Sequence, residues 1–155
     1  MAIERTLVLV KPDALQRELA GEVISRIERR GFKIIGMKMM MLDQKTLEEH
    51  YAHLAAKPFF PRIADFMSSA PVIAVAVEGY DAVEVMRKMS GVTKSSQAEP
   101  GTIRGDYALS VMCNVVHASD SKEAAEKELK RFFGKGELFG WKRANLDNVY
   151  APDER

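Results

Sequence analysis

Residues 71–77 run Pro71-Val72-Ile73-Ala74-Val75-Ala76-Val77, apolar throughout. A short β-branched run with no polar face predicts a strand buried on both sides. Residues 6–10 (TLVLV) predict a second buried strand, ended by Lys11-Pro12-Asp13, where proline suits a helix start. In residues 21–30, Val23, Ile24 and Ile27 sit on one helical face, and Gly31 stands where a helix stops. Residues 32–42 (FKIIGMKMMML) predict a long strand, and the methionines Met37, Met39, Met40 and Met41 its packing. Asp43 is an expected N-cap for a helix to about Leu54; Pro58 and Pro61 interrupt it before a short helix to Met67.

Downstream, residues 80–89 predict a helix. Residues 90–106 are polar, rich in Gly, Ser and Pro, and without period, which in a compact domain points to a functional or disordered loop. Residues 107–116 predict a final strand. Asp120 and Glu123 have capping-box spacing at the head of a helix to about Phe133. The resulting β-α-β-α-β-α-β-α order predicts helices on a mixed sheet. Two βαβ units around four strands fit the ferredoxin-like arrangement.

Composition sets bounds. The 155 residues suit one domain, and 46% apolar with 29% charged residues is globular. With 23 Lys and Arg against 22 Asp and Glu the net charge is +1, which argues against a protein that coats nucleic acid. The single cysteine, Cys113, excludes an internal disulfide and a multi-cysteine zinc site. No apolar run approaches the length of about 18 residues that a membrane span needs. The start of the chain does not resemble a signal peptide, so the expectation is a cytoplasmic location without membrane contact.

No P-loop, dinucleotide fingerprint, nucleophile elbow or zinc helix motif occurs, so any chemistry comes from scattered residues. His50 and His53 read as exposed helix histidines. Their spacing could hold a metal, but no nearby third ligand completes a site. His117 closes an apolar strand just ahead of a helix N-terminus, a place that favours anions, and imidazole is a competent nucleophile. Position alone favours a structural histidine over a nucleophile. Arg104 lies between Gly101 and Gly105 and offers a planar fork to phosphate oxygens. Arg87 and Lys11 read alone as surface charges, although Lys11 stands at a strand end, where ligands gather in α/β sheets. Phe59 and Phe60 read as core. One physical reading joins the pieces: Lys11, Arg87 and Arg104 neutralise a polyphosphate, an aromatic covers a base, and His117 takes a phosphoryl group.

Taken in order, several short stretches resemble the nucleoside diphosphate kinase family over nearly the whole chain. The decisive one is Asn114-Val115-Val116-His117-Ala118-Ser119-Asp120-Ser121. Glu4-Arg5-Thr6, Lys11-Pro12-Asp13, His50-Tyr51, Pro58-Phe59-Phe60, Ser69-Ala70-Pro71-Val72 and residues 100–106 (PGTIRGD) accompany it. The resemblance implies an α+β, ferredoxin-like αβ sandwich with a four-stranded antiparallel sheet, in one kinase domain over residues 1–155. It implies transfer of a γ-phosphate between nucleoside tri- and diphosphates by ping-pong kinetics, maintaining nucleotide pools. By the same resemblance His117 becomes phosphohistidine, Glu128 orients its ring and Ser119 supports the pair. Lys11 and Tyr51 contact the transferred group. Arg87, Thr93 and Arg104 hold the other phosphates, Asn114 the ribose, and Phe59 and Val111 the base. Mg²⁺ would ride mainly on the nucleotide phosphates, with no protein metal site. Stacking without base-edge contacts would tolerate any base.

The family's homo-oligomers suggest a hexamer, with a tetramer as the alternative. No stable nucleic-acid partner is expected. Ala118 stands where glycine usually follows the histidine, Cys113 where arginine or alanine is common, and Lys94-Ser95 where an Asn-Pro pair is common. The last departure bears on subunit packing. Competing readings are a non-catalytic ferredoxin-like module that binds nucleotide or single-stranded nucleic acid, and an acyl phosphate hydrolase on the same fold.

Overall fold

The alternation in the two central strands builds two cores at once. In a computed structural model describing residues 3–154, β1 (Ile3–Val10) and β3 (Val72–Tyr80) pair antiparallel with Leu7 opposite Ala76 and Val8 opposite Val75. Successive side chains point to opposite faces. Leu7, Leu9, Ala74 and Ala76 enter one apolar cluster, and Val8, Val10, Val75 and Val77 enter the other. The buried run at residues 71–77 is thus covered on both sides, as its composition predicts.

The other strands are β2 (Lys33–Met40) and β4 (Val116–Ala118), and the sheet order is β2-β3-β1-β4. Every pairing is antiparallel, so the mixed sheet expected from element order alone is corrected. Each βαβ crossover skips one place in the sheet, and the strand that fills the gap runs the other way.

Helices α1 (Pro12–Gln16), α2 (Ala20–Arg29), α3 (Gln44–His50), α4 (Phe60–Met67) and α5 (Ala82–Ser90) follow in chain order. Then come α6 (Ile103–Tyr107) and α7 (Lys122–Phe132). Val23 and Ile27 of α2 and Met86 of α5 pack on the Val8 face. Leu47 of α3, Met67 of α4, and Leu129 and Phe132 of α7 pack on the Leu7 face.

Several boundaries differ from the sequence reading, each for a local reason. Helix α3 ends at His50 rather than near Leu54 because the chain switches to three-residue turns, with Leu54 N–H bonding Tyr51 C=O and Lys57 N–H bonding Leu54 C=O. Tyr80 stays in β3 opposite Ile3, and α5 starts only after Asp81, whose φ is 49°. The polar stretch 90–106 is not wholly loop: a 3₁₀ turn spans Ser95–Gln97, and α6 starts where the Thr102 hydroxyl accepts from Gly105 N–H. The last strand shrinks from residues 107–116 to Val116–Ala118, because Val115 turns into the left-handed region at φ 71° and cannot extend a ladder. Helix α7 is capped by Ser121, not Asp120. Its hydroxyl accepts from Ala124 N–H at 3.1 Å, so the expected capping box does not form.

Candidate active site

His117 is carried by β4, opposite Leu9 of β1. Its Nε2 lies 3.1 Å from both carboxylate oxygens of Glu128 on α7. Ser119, two residues on and fully buried, donates its hydroxyl to Glu128 at 2.5 Å and accepts from Leu7 N–H at 3.3 Å. Burial pushes the Glu128 carboxyl up, but the bonds from His117 and Ser119 outweigh this and hold it below the ordinary range. A carboxylate at Nε2 leaves Nδ1 as the ring nitrogen with a lone pair to offer.

Lys11 follows β1 directly and is 8% exposed. Its ammonium donates to Asn114 Oδ1 at 2.6 Å and Met112 C=O at 3.0 Å. Burial lowers its pKa to about 8, with Asp13 opposing the shift and Arg104 adding to it. Asn114 in turn donates to the carbonyls of Val111, at 2.8 Å, and Thr93.

Arg104 is anchored more than the sequence suggests. It donates to Gly91 C=O and Val116 C=O, both at 2.7 Å, and to Asn114 C=O at 3.4 Å. A guanidinium has five donors, so two remain for a ligand. Burial, then the charge of Arg87, lowers its pKa to about 10. The nearby glycines answer local backbone constraints. Gly91 ends α5 at φ 81°, and a Cβ on Gly105 would collide with Glu99 C=O.

A cleft of about 640 Å³ gathers Lys11, Tyr51, Phe59, Arg87, Thr93, Arg104, Val111, Asn114, His117 and Glu128. Of the eleven residues given site roles by the family resemblance, only Ser119 stays outside the lining, bonded to Glu128 from below. Phe59 and Val111 keep 47% and 58% of their surface exposed there, so Phe59 is not the core residue its setting suggested; Phe60 is. Burial, with the Glu128 charge second, pushes the Tyr51 phenol up to about 12, so it remains a proton donor at neutral pH.

The sequence reading misses His50. It is 7% exposed, not a surface histidine, and its ring meets His117 edge-to-face with centroids 4.6 Å apart. Only its adjacency to Tyr51 could have flagged it. His53 is exposed at the cleft wall. Among the described residues His50, His117 and Glu128 bring their ligand atoms within 4.8 Å of one another. The Arg131 guanidinium, 3.2 Å from His50 Nδ1, repels a cation there, so we assign no metal to this group. The cleft's other carboxylate, Asp120, is exposed. Phosphate charge would be met mainly by cations of the chain, and a hard divalent ion would take most of its oxygens from the ligand.

The family model described as nucleoside diphosphate kinase matches residues 4–138. A nucleoside diphosphate kinase of Parabacteroides distasonis is 53% identical over 152 residues, 98% of this chain and 99% of that one. One from Pyrococcus abyssi is 54% identical over 144 residues, 91% of each. Among solved structures, a halophilic nucleoside diphosphate kinase from Halobacterium salinarum in complex with CDP has a TM-score of 0.93 at 42% identity, covering 96% of this chain and 99% of that one. A transition state mimic of the Borrelia burgdorferi enzyme with bound vanadate and ADP has a TM-score of 0.88 at 33% identity, covering 94% and 96%.

Proposed function

The chain belongs to the nucleoside diphosphate kinase family, and from that premise we propose that it passes a γ-phosphoryl group between nucleotides through Nδ1 of His117. The observation that carries this is the Glu128 carboxylate on Nε2. It holds the ring proton there, leaves the Nδ1 lone pair free and steadies the positive charge the ring acquires.

In the first half-reaction Nδ1 attacks the γ-phosphorus. The bond from that phosphorus to the β–γ bridging oxygen breaks in line, and the nucleoside diphosphate leaves with the bond's electrons. In the second, a terminal oxygen of the acceptor's β-phosphate attacks the phosphorus, and the P–N pair returns to Nδ1. Little covalent work falls to the protein beyond this, so positioning and charge dominate. Lys11, Arg87 and the two unused donors of Arg104 face the charge that develops on the phosphate oxygens. The Tyr51 phenol supplies a neutral donor. Asn114 holds Lys11 and would also meet the ribose. The base would rest on Phe59 with Val111 opposite, a stacking contact that every base can make.

A divalent ion, Mg²⁺ in this reading, would be held mainly by the nucleotide phosphates and would supply charge neutralisation there, with Asp120 as the exposed cleft carboxylate that could accept from its waters. Residues 1–155 act as one kinase domain. The partner in assembly is a second copy of the chain, in a hexamer rather than a tetramer. Edge strand β2 supports self-association, since Met37, Met39 and the following Met41 are each more than half exposed. Among the described residues no helix is long and apolar enough to cross a membrane; we place the protein in the cytoplasm.

The deciding experiment is incubation with γ-labelled ATP and no acceptor. The chain should take an acid-labile, alkali-stable label, which any nucleoside diphosphate chases off and which His117→Ala abolishes. A folded wild-type chain that takes no label overturns the reading.

A further inference from the structure

Helix α7 carries a second charged group into the same corner. Arg131 lies one turn beyond Glu128, and its Nη1 donates to His50 Nδ1 at 3.2 Å. That same Nδ1 is 3.8 Å from Glu128 Oε1, the oxygen that sits 3.1 Å from His117 Nε2. Two imidazoles therefore stand within reach of one carboxylate. The rings of Tyr51, Phe132 and His117 meet His50 edge-on, so it cannot turn away.

A guanidinium only donates, and a ring nitrogen that accepts from it carries no proton. While Arg131 holds Nδ1, the proton of neutral His50 is on Nε2, which is buried and without a partner. In that tautomer His50 has nothing to offer Glu128. With a proton on Nδ1 instead, His50 would form a charge-assisted bond to Glu128, draw it from His117, and set a cation beside the nucleophile.

We propose that Arg131 is a positioning residue, which occupies His50 Nδ1 and thereby reserves Glu128 for His117. This rests on the phosphohistidine reading of His117. The groups facing His50 are His117 from β4, Glu128 and Arg131 from α7, and Tyr51 with the more distant His53 from the turns after α3. Glu49 stands 3.9 Å from Arg131 Nε. Burial, then His117, lowers the His50 pKa to about 3; Glu128 opposes the shift, and Arg131 and His53 add to it. Glu128 is thus the group that invites a proton onto His50, and Arg131 stands in its way.

The test uses the full chain with ¹⁵N-labelled histidine and the variant Arg131→Met. In the wild type the His50 shifts should report a neutral ring protonated on Nε2 down to below pH 5. In Arg131→Met the His50 proton should move to Nδ1, facing Glu128, and its titration should rise while burial and His117 still hold it below the ordinary value, so the acid limb of kcat should move up by about one pH unit. The double variant Arg131→Met with His50→Phe keeps an edge-on ring with nothing to protonate, and should return the acid limb to its wild-type position. A merely structural role for Arg131 predicts no such return. Wild-type shifts that report an Nδ1 proton overturn the inference without any variant. So does an Arg131→Met protein whose shifts and acid limb match the wild type. Failure to form phosphohistidine overturns the parent reading, and the nitrogen shifts, which need no turnover, tell the two failures apart.

Discussion

Lys11 Nζ donates to Asn114 Oδ1 at 2.6 Å, tying the end of β1 to the segment that enters β4. The contact holds a cation in place while burial weakens its hold on the proton, to a pKa of about 8. The consequence for binding is direct: kcat/KM reports the free enzyme, so it should bend downward above about pH 8 as Lys11 loses its charge. A profile flat to pH 9.5 in buffers of constant ionic strength would remove Lys11 from phosphate binding.

The same shift predicts a stability effect of opposite sense. Between about 8 and the ordinary value of 10.5, unfolded Lys11 binds a proton that the folded side chain does not. Folding stability contributed by this group therefore rises with pH across that window, by about 3 kcal/mol. Denaturant melts of wild type and Lys11→Met at pH 7.5 and 10.5 isolate the term. The wild type should gain on the variant at the higher pH, and parallel behaviour would refute the buried-lysine account.

Glu128 receives both the His117 ring and the Ser119 hydroxyl. Glu128→Gln keeps the size but removes the charge that steadies the phosphorylated ring. It should lower kcat by about 10²-fold with KM changed by less than about threefold, because the lost interaction strengthens on the way to the transition state. Ser119→Ala strips a bond from Glu128 and leaves Leu7 N–H unpaired. It should cost about 1–3 kcal/mol of stability with a smaller loss in kcat. Quench-flow of phosphoenzyme formation and urea melts read the two effects separately.

The contrast between His117 and His50 shows what the sequence could carry. His117 follows two buried valines and precedes a helix head, so its place at a strand end beside an anion-friendly terminus was visible in the order of residue types. His50 lies among charged neighbours on α3, and nothing local says that α7 will fold over it. Its burial comes from Phe132 and Glu128, more than seventy positions away in the chain. The unbroken apolar runs of residues 6–10 and 71–77 likewise located the central strands, since a strand covered on both faces needs no polar positions. Residues 107–116 misled because apolar content alone cannot reveal that Val115 leaves the extended region. The Arg104 anchors were hidden for the same reason: their acceptors are backbone carbonyls, which carry no residue identity.

Phe59 keeps about half its surface free at the cleft, in a chain that buries most large apolar side chains. If its ring supports the base, Phe59→Ala removes roughly 1–3 kcal/mol of stacking from every nucleotide alike. Dissociation constants for ADP, GDP, CDP and UDP should all rise, by about tenfold, with their order preserved. A loss confined to purines would mean that edge contacts, not the ring face, hold the base.

Val115 stands two residues before His117 with φ at 71°, a region that strains a β-branched side chain by about 1–3 kcal/mol. The turn is held from both sides: its N–H donates to Asp13 Oδ2 at 3.0 Å, and its C=O accepts from Lys11 N–H at 2.9 Å. Removing the first hold lets the backbone relax towards the extended form, and β4 would begin one residue early with His117 displaced. Because about 1 Å of misplacement can cost about 10²-fold in rate, Asp13→Ala should lower kcat by at least tenfold and leave nucleotide affinity within a few fold. Asp13→Asn retains an acceptor oxygen at the same reach and should keep most of the activity. Phosphoenzyme formation rates for the two variants, set beside their melting curves, decide the point. A folded Asp13→Ala protein with wild-type kcat would show that the strained turn places nothing.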